Sequence, residues 1–121
     1  MFNDEGVKPL FREITLNPYI RKLNLSRNFI SDAIPLCKML SQNKSVVELY
    51  LHWNSFHGPA GALIAKSLHN TNKLRILDLS YNSLGLGGPK CAIALGEYLM
   101  SQDVSLVHLD LSYNYFNDSD T

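Results

Sequence analysis

The sequence predicts an α/β solenoid of about four strand-and-helix units, forming a single array over residues 1–121, with strands near 22–26, 48–52, 76–80 and 108–112. Three observations predict it. One pattern recurs four times, as I-R-K-L-N-L-S-R-N-F-I from Ile20, V-V-E-L-Y-L-H-W-N-S-F from Val46, L-R-I-L-D-L-S-Y-N-S-L from Leu74 and L-V-H-L-D-L-S-Y-N-Y-F from Leu106. All four are apolar at positions 1, 4, 6 and 11 and carry Asn at position 9. Between the copies the apolar spacing changes from every second residue to every third or fourth, and glycines and prolines punctuate the change.

Each element follows from that pattern. Alternate residues of a strand point to opposite faces. Leu23 and Leu25, Leu49 and Leu51, Leu77 and Leu79, and Leu109 and Leu111 are therefore expected to point into one core. Asn28, Asn54, Asn82 and Asn114 stand where each strand turns away; an amide both donates and accepts, so these four are expected to form a ladder that satisfies the backbone of the turn. Helical spacing follows in Val7, Leu10, Phe11 and Ile14, in Leu36, Met39 and Leu40, in Ala60, Leu63, Ile64, Ala65 and Leu68, and in Ala92, Leu95 and Leu99. Pro59, Gly61, Gly87, Gly88 and Pro89 are expected at strand-to-helix bends and helix starts. The spacings between the Asn residues are 26, 28 and 32, and the longest unit holds its extra residues in Gly85–Gly88 and around Ser101–Asp103.

Composition narrows the function. Lys and Arg total 11 and Asp and Glu total 11, so there is no basic surplus of the kind that phosphate neutralisation uses, and no nucleic-acid partner is expected. No apolar run approaches the roughly 20 residues of a membrane span. Residues Met1 to Leu10 carry Asp4 and Glu5 and have no apolar stretch of the secretory type. An intracellular, cytoplasmic setting is the expectation, with cilium and cytoskeleton as variants of it. Cys37 and Cys91, 54 residues apart among apolar neighbours, are read as reduced, buried thiols, with a disulfide as the alternative. The sequons at Asn24, Asn43 and Asn117 are read as incidental.

With those residues in view, the chain resembles the leucine-rich repeat family, whose pattern is L-x-x-L-x-L-x-x-N-x-L. The 28-residue spacing is similar to the ribonuclease-inhibitor-like class, shared by NOD-like receptors, Ran GTPase-activating proteins and ciliary leucine-rich repeat proteins. The resemblance extends over nearly the whole chain: Phe2-Asn3-Asp4-Glu5-Gly6 matches the stretch after a template Asn, and Phe116-Asn117-Asp118 begins the same way. It implies a right-handed β–α superhelix with parallel strands on the concave face and helices on the convex face. Neither end carries a capping helix, so the chain is expected to be part of a longer array or to meet partners, including neighbouring subunits, at its ends; a shortened gene product is the rival reading.

In that architecture the strand face away from the helices is free for a ligand. Position 3 places Lys22, Glu48, Ile76 and His108 there, and position 5 places Asn24, Tyr50, Asp78 and Asp110. Position 7 adds Ser26, His52, Ser80 and Ser112, and position 8 adds Arg27, Trp53, Tyr81 and Tyr113. The unit around Trp53 departs from its neighbours, with Tyr50 and His52 where the others use Asn or Asp and Ser. Tyr50, His52, Trp53, Tyr81 and Tyr113 are expected to form one aromatic patch, of a composition enriched at interface hot spots. The alternative reading has the position-8 rings simply covering the strand ends. Lys22 and Arg27 lie toward one end of the strip and Asp78 and Asp110 toward the other, a polarity that can orient a partner.

Little in the sequence points to catalysis. Gly85-Leu86-Gly87-Gly88-Pro89-Lys90 lacks the Ser or Thr that a phosphate loop needs after its Lys. His52, His57, His69 and His108 have no metal-ligand spacing, and neither metal nor cofactor is expected. Cys37 and Cys91 sit beside Lys38 and Lys90 in sequence, but adjacent helical residues do not face each other, so no activated thiol is expected. The reading is a non-enzymatic module that binds a partner protein on its concave face. Two alternatives accompany it: a scaffold component of a large assembly such as a ciliary axoneme, and, by resemblance to the Ran GTPase-activating proteins, a GTPase activator presenting Arg27.

Overall fold

The computed structural model describes residues 2–116; the Asn117 sequon and the repeat-like Asn117–Asp118 stretch lie outside them. Helices and strands alternate along the chain: α1 (Asp4–Leu16), β1 (Lys22–Asn24), α2 (Ile34–Gln42), β2 (Glu48–Tyr50), α3 (Gly58–Ser67), β3 (Ile76–Asp78), α4 (Lys90–Leu99) and β4 (His108–Asp110). A short 3₁₀ turn, Leu68–Asn70, follows α3. The strands form one open parallel sheet in the order β1-β2-β3-β4. Its register pairs like template positions, Lys22 with Glu48, Ile76 and His108, and Leu23 with Leu49, Leu77 and Leu109. Each strand is three residues long, yet the ladder runs on beyond it. Arg27 N donates to His52 O at 3.0 Å, Trp53 N to Ser80 O at 3.1 Å and Tyr81 N to Ser112 O at 3.0 Å.

The core lies between sheet and helices. Leu25, Leu49, Leu51, Leu77 and Leu79 are buried in it, while Leu23, Leu109 and Leu111, on the outermost strands, are half-buried. Where each strand ends, the ladder Asn takes over. Asn82 Nδ2 donates to Leu79 O and to Leu51 O of the preceding repeat, both at 3.0 Å, and its Oδ1 accepts from Phe56 N at 3.2 Å. Asn54 and Asn114 repeat the arrangement, with Asn114 Nδ2 2.8 Å from Leu79 O. Asn28 Oδ1 accepts from Phe2 N, so the segment before α1 occupies the place of a post-strand turn. Each amide thus joins two consecutive repeats, which is why a buried polar row is tolerated inside this core.

A second link, at the opposite strand ends, has no signature in the template. The Ser45 hydroxyl donates to Ile20 O at 2.7 Å, and the Ser105 hydroxyl to Thr71 O and Leu74 O at 2.6 and 2.8 Å. Asn43 is buried, its amide committed to Ile14 O and Val46 N, a poor acceptor for a glycan.

Helix α4 is rotated from the expected phase, and α3 departs from it at one residue. In α3 and the turn that follows it, Ile64, Ala65 and Leu68 are buried as expected, with Gly61 and Ala62 beside them; Ala60 is half-buried and Leu63 points outward. In α4 it is Cys91, Ala94, Leu95 and Tyr98, while Leu99 is exposed and Ala92 half-buried. The cause is Tyr98. Its ring is fully buried and its hydroxyl accepts from Ser105 N at 3.0 Å, so the polar end is satisfied within the insertion of the longest repeat. Gly61 lies within α3 and not at a bend. A Cβ there would stand 2.6 Å from Cys91 Sγ, so its lack of a side chain lets α4 approach closely. Pro35 and Pro59 occupy the second positions of α2 and α3, in the first turn where a missing N–H costs no helical bond, and Gly87 and Gly88 take φ of +92° and +96° in the insertion.

Candidate functional site

The sheet face away from the helices carries two distinct rows of side chains. In the first, three strands share one local device. Asn24 Oδ1 accepts from Ser26 N and Oγ at 3.0 and 2.6 Å, Asp78 Oδ1 from Ser80 N and Oγ at 2.9 and 2.6 Å, and Asp110 Oδ1 from Ser112 N and Oγ at 3.0 and 2.6 Å. These are turns in which a short polar side chain replaces a backbone acceptor. Asn24, Asp78 and Asp110 therefore have a local structural role whatever else they contact. The Ser112 hydrogen bonds hold the Asp110 carboxyl below its ordinary value, with His108 and His52 adding to the effect.

Strand β2 lacks the device. Tyr50 instead donates its hydroxyl to Glu48 Oε1 at 2.6 Å, a bond that pushes the phenol up from its ordinary pKa. The Lys22 ammonium lies 5.5 Å from the Tyr50 ring centroid, and the His52 ring meets Tyr50 edge-on at 6.3 Å. His52 Nδ1 is 3.3 Å from Asp78 Oδ2 but makes no hydrogen bond, although the atom is buried.

The second row is the position-8 series. Arg27, Trp53, Tyr81 and Tyr113 all adopt left-handed backbone, with φ between +55° and +59°. Such a conformation costs a non-glycine residue about 1–2 kcal/mol, and here the ladder Asn that follows each one holds it. Because neighbouring strands of a sheet lie about 4.8 Å apart, residues at equal positions are brought to stacking distance. Trp53 and Tyr81 stack at 4.2 Å and 9°, Tyr81 and Tyr113 at 4.4 Å and 11°, and the Arg27 guanidinium caps the row 5.6 Å from the Trp53 ring. Burial and the neighbouring Tyr113 hydroxyl push the Tyr81 phenol up.

The aromatic residues thus fall into two groups, Tyr50 with His52 and the Trp53–Tyr81–Tyr113 stack, and not into the one patch that the sequence predicts. Trp53 is 45 % exposed and Tyr113 70 %, so the stack is open to solvent. Sequence reasoning also missed Tyr115, which has φ of +61° and lines the same shelf as Trp53, Tyr81 and Tyr113, a concavity of about 490 Å³. The Y-N-Y run at 113–115 was its only signal. Glu48 faces Lys22 in register but gives its oxygen to Tyr50, and Ile76 and His108 complete position 3.

Among the described residues no group of three His, Cys, Asp or Glu is placed to hold a metal ion. Cys37 and Cys91 are free; burial pushes the Cys37 thiol up and that of Cys91 up to about 11, so neither is a thiolate at neutral pH. Among the described residues no helix is long and apolar enough to cross a membrane.

Comparison with known proteins agrees with the repeat geometry. A family model described as Leucine Rich Repeat matches residues 73–94 and 105–121, and a second, Leucine Rich repeat, matches 16–34. Among solved structures, "Leiomodin-1 Actin-Binding Site 2" is similar with a TM-score of 0.81 and 21 % identity, over 98 % of this chain and 68 % of that one. The tropomodulin C-terminal domain of Caenorhabditis elegans is similar with a TM-score of 0.81 and 16 % identity, over 98 % of this chain and 74 % of that one. At these identities the likeness is one of fold.

Proposed function

Since this chain is a leucine-rich repeat protein, we propose that it is a protein-binding module whose concave sheet face seats a partner protein, with Tyr50, His52 and the Trp53–Tyr81–Tyr113 stack at the centre of the contact. One observation carries the reading. Strand β2 gives up the Asx–Ser device of its three neighbours for a tyrosine and a histidine that serve no core packing. Beside them stands a pre-stacked aromatic row. Rings held by their neighbours lose little conformational freedom on binding, and interface energy concentrates on such residues. Lys22 and Arg27 on one side, and Glu48, Asp78, His108 and Asp110 on the other, form the polar surround that orients the partner.

Arg27 belongs to this surface in the present reading, its guanidinium lying 5.6 Å from the Trp53 ring centroid. Two free cysteines fit a reducing, intracellular compartment. The name of the leiomodin-1 structure, an actin-binding site, makes actin the first partner to try.

The test is a titration of the chain against monomeric and filamentous actin, alongside affinity capture from the native source. Trp53→Ala is expected to weaken the captured interaction by about 2 kcal/mol, roughly thirtyfold. The far-ultraviolet circular dichroism should stay unchanged, as Trp53 lies outside the core. Undiminished binding by both Trp53→Ala and Tyr50→Ala would remove the concave face from consideration and favour the scaffold reading, in which the convex helices make the contacts.

A further inference from the structure

The helix layer is closed at one end of the molecule and open at the other. Between α3 and α4, Gly61 sits against Cys91 and Leu84 so closely that an added Cβ would fall 2.6 Å from each. Between α1 and α2 the residues in the corresponding place are Phe11, Pro35 and Met39, and behind them opens a groove of about 520 Å³. Its floor is apolar, and two large aliphatic side chains stand at its mouth with no packing role: Leu16 is 81 % exposed and Ile34 65 %. Its rim is cationic on both walls. Lys8 and Arg12 come from α1 and Lys38 from α2. Lys8 has Glu5 at 3.0 Å, whereas Arg12 and Lys38 have no ion pair among the described residues.

We infer that this α1–α2 groove on the convex face docks an amphipathic helix with acidic flanks, supplied by a partner protein. The shape sets the helix. The groove runs beside α1, whose 13 residues extend about 20 Å, so a helix of about 14 residues spans it and presents apolar side chains at i, i+3, i+4 and i+7 to the floor. The rim sets the sign. A glutamate on one flank reaches Arg12 and one on the other reaches Lys38, straddling the apolar contact as charges flank a coiled-coil seam. A basic helix meets like charge along both walls. This surface is distinct from the concave face, and neither assignment depends on the other.

The probe is a fluorescein-labelled amphipathic peptide of about 14 residues with leucine on one face and glutamate on both flanks, compared with a counterpart carrying lysine in place of every glutamate. The acidic peptide is expected to bind the full chain with a Kd in the micromolar range, weakening as salt is raised. Lys38→Glu and Arg12→Glu, both at exposed positions, are each expected to weaken it about tenfold, and Leu16→Asp to abolish it. Trp53→Ala should leave it unchanged, which separates this site from the concave one. Several outcomes overturn the inference: equal affinity for the two peptides, indifference of the acidic peptide to Lys38→Glu, or no binding up to about 1 mM. Two others identify a different occupant and overturn it likewise: binding to phosphatidylserine vesicles that is lost with Lys38→Glu, and a concentration-dependent dimer lost with the same change.

Discussion

The two ends of the helix layer differ far more than the two ends of the sheet. Along the sheet, each strand pairs with the next in the same register, and the same backbone atoms bond from β1 to β4. In the helix layer, α3 meets α4 closely where Gly61 faces Cys91, whereas α1 and α2 leave a groove lined by Phe11, Pro35 and Met39. Hydrogen bonds set strand spacing to within tenths of an ångström, but helix spacing follows side-chain volume. A solenoid can therefore change its outer surface from repeat to repeat while its inner ladder stays constant.

The largest effect should come from filling the closed end. Gly61→Leu forces a side chain into Cys91 and Leu84 and is expected to cost about 3 kcal/mol, read as a lower urea midpoint. Leu16→Ala at the open end should change stability by no more than about 0.5 kcal/mol. Equal effects at the two sites would mean that the helix pairs are packed alike.

A smaller contrast is expected within the ladder. Asn82→Leu leaves Phe56 N without its acceptor inside the core and takes one of two amide donors from Leu51 O and from Leu79 O, and should cost about 2 kcal/mol. Asn28→Leu, at a half-buried position that water reaches, should cost about 1 kcal/mol. The two denaturation midpoints measure that difference directly.

The smallest effect concerns acid and belongs to the open end. The Asp4 carboxylate accepts from Ser31 N at 2.9 Å, Ser31 Oγ at 2.7 Å and Asp32 N at 3.0 Å, tying α1 to the loop before α2. Burial raises its pKa, but those bonds together outweigh burial and hold it below the ordinary carboxylate value. A folded-state pKa below the unfolded one, about 3.9, stabilises the fold above that pH. The stabilisation is lost as pH falls through the lower, folded value. Amides of α1 and the α2 loop should therefore lose hydrogen-exchange protection first below about pH 4, and Asp4→Asn should flatten that dependence.

Much of the architecture was legible because it repeats. Leu49, Leu51, Leu77 and Leu79 alternate with polar neighbours and are followed at a fixed distance by Asn54 and Asn82, and only a strand ending in a turn asks for both features. The phase of α4 was not legible. Its sequence from Lys90 to Leu99 is apolar at Cys91, Ala92, Ile93, Ala94, Leu95, Tyr98 and Leu99, so more than one face could be buried. The Tyr98 hydroxyl, which needs Ser105 N, decided between them. In the candidate site, the departure of Tyr50 and His52 from their neighbours was visible in the sequence, but their separation from the Trp53 stack was not. The left-handed turn at position 8 carries those rings away from the strand residues.

By itself the sequence determined the repeat: which residues form the parallel ladder, which leucines enter the core and where the amides stand. Each of these depends on spacing within one copy and identity across copies, and both are properties of a linear string. The tertiary structure alone decided the cationic groove over α1 and α2, the stacking of Trp53, Tyr81 and Tyr113, and the approach of His52 to Asp78. Those depend on the volumes and dipoles of side chains from different repeats meeting in space, and no spacing within a single copy encodes that meeting.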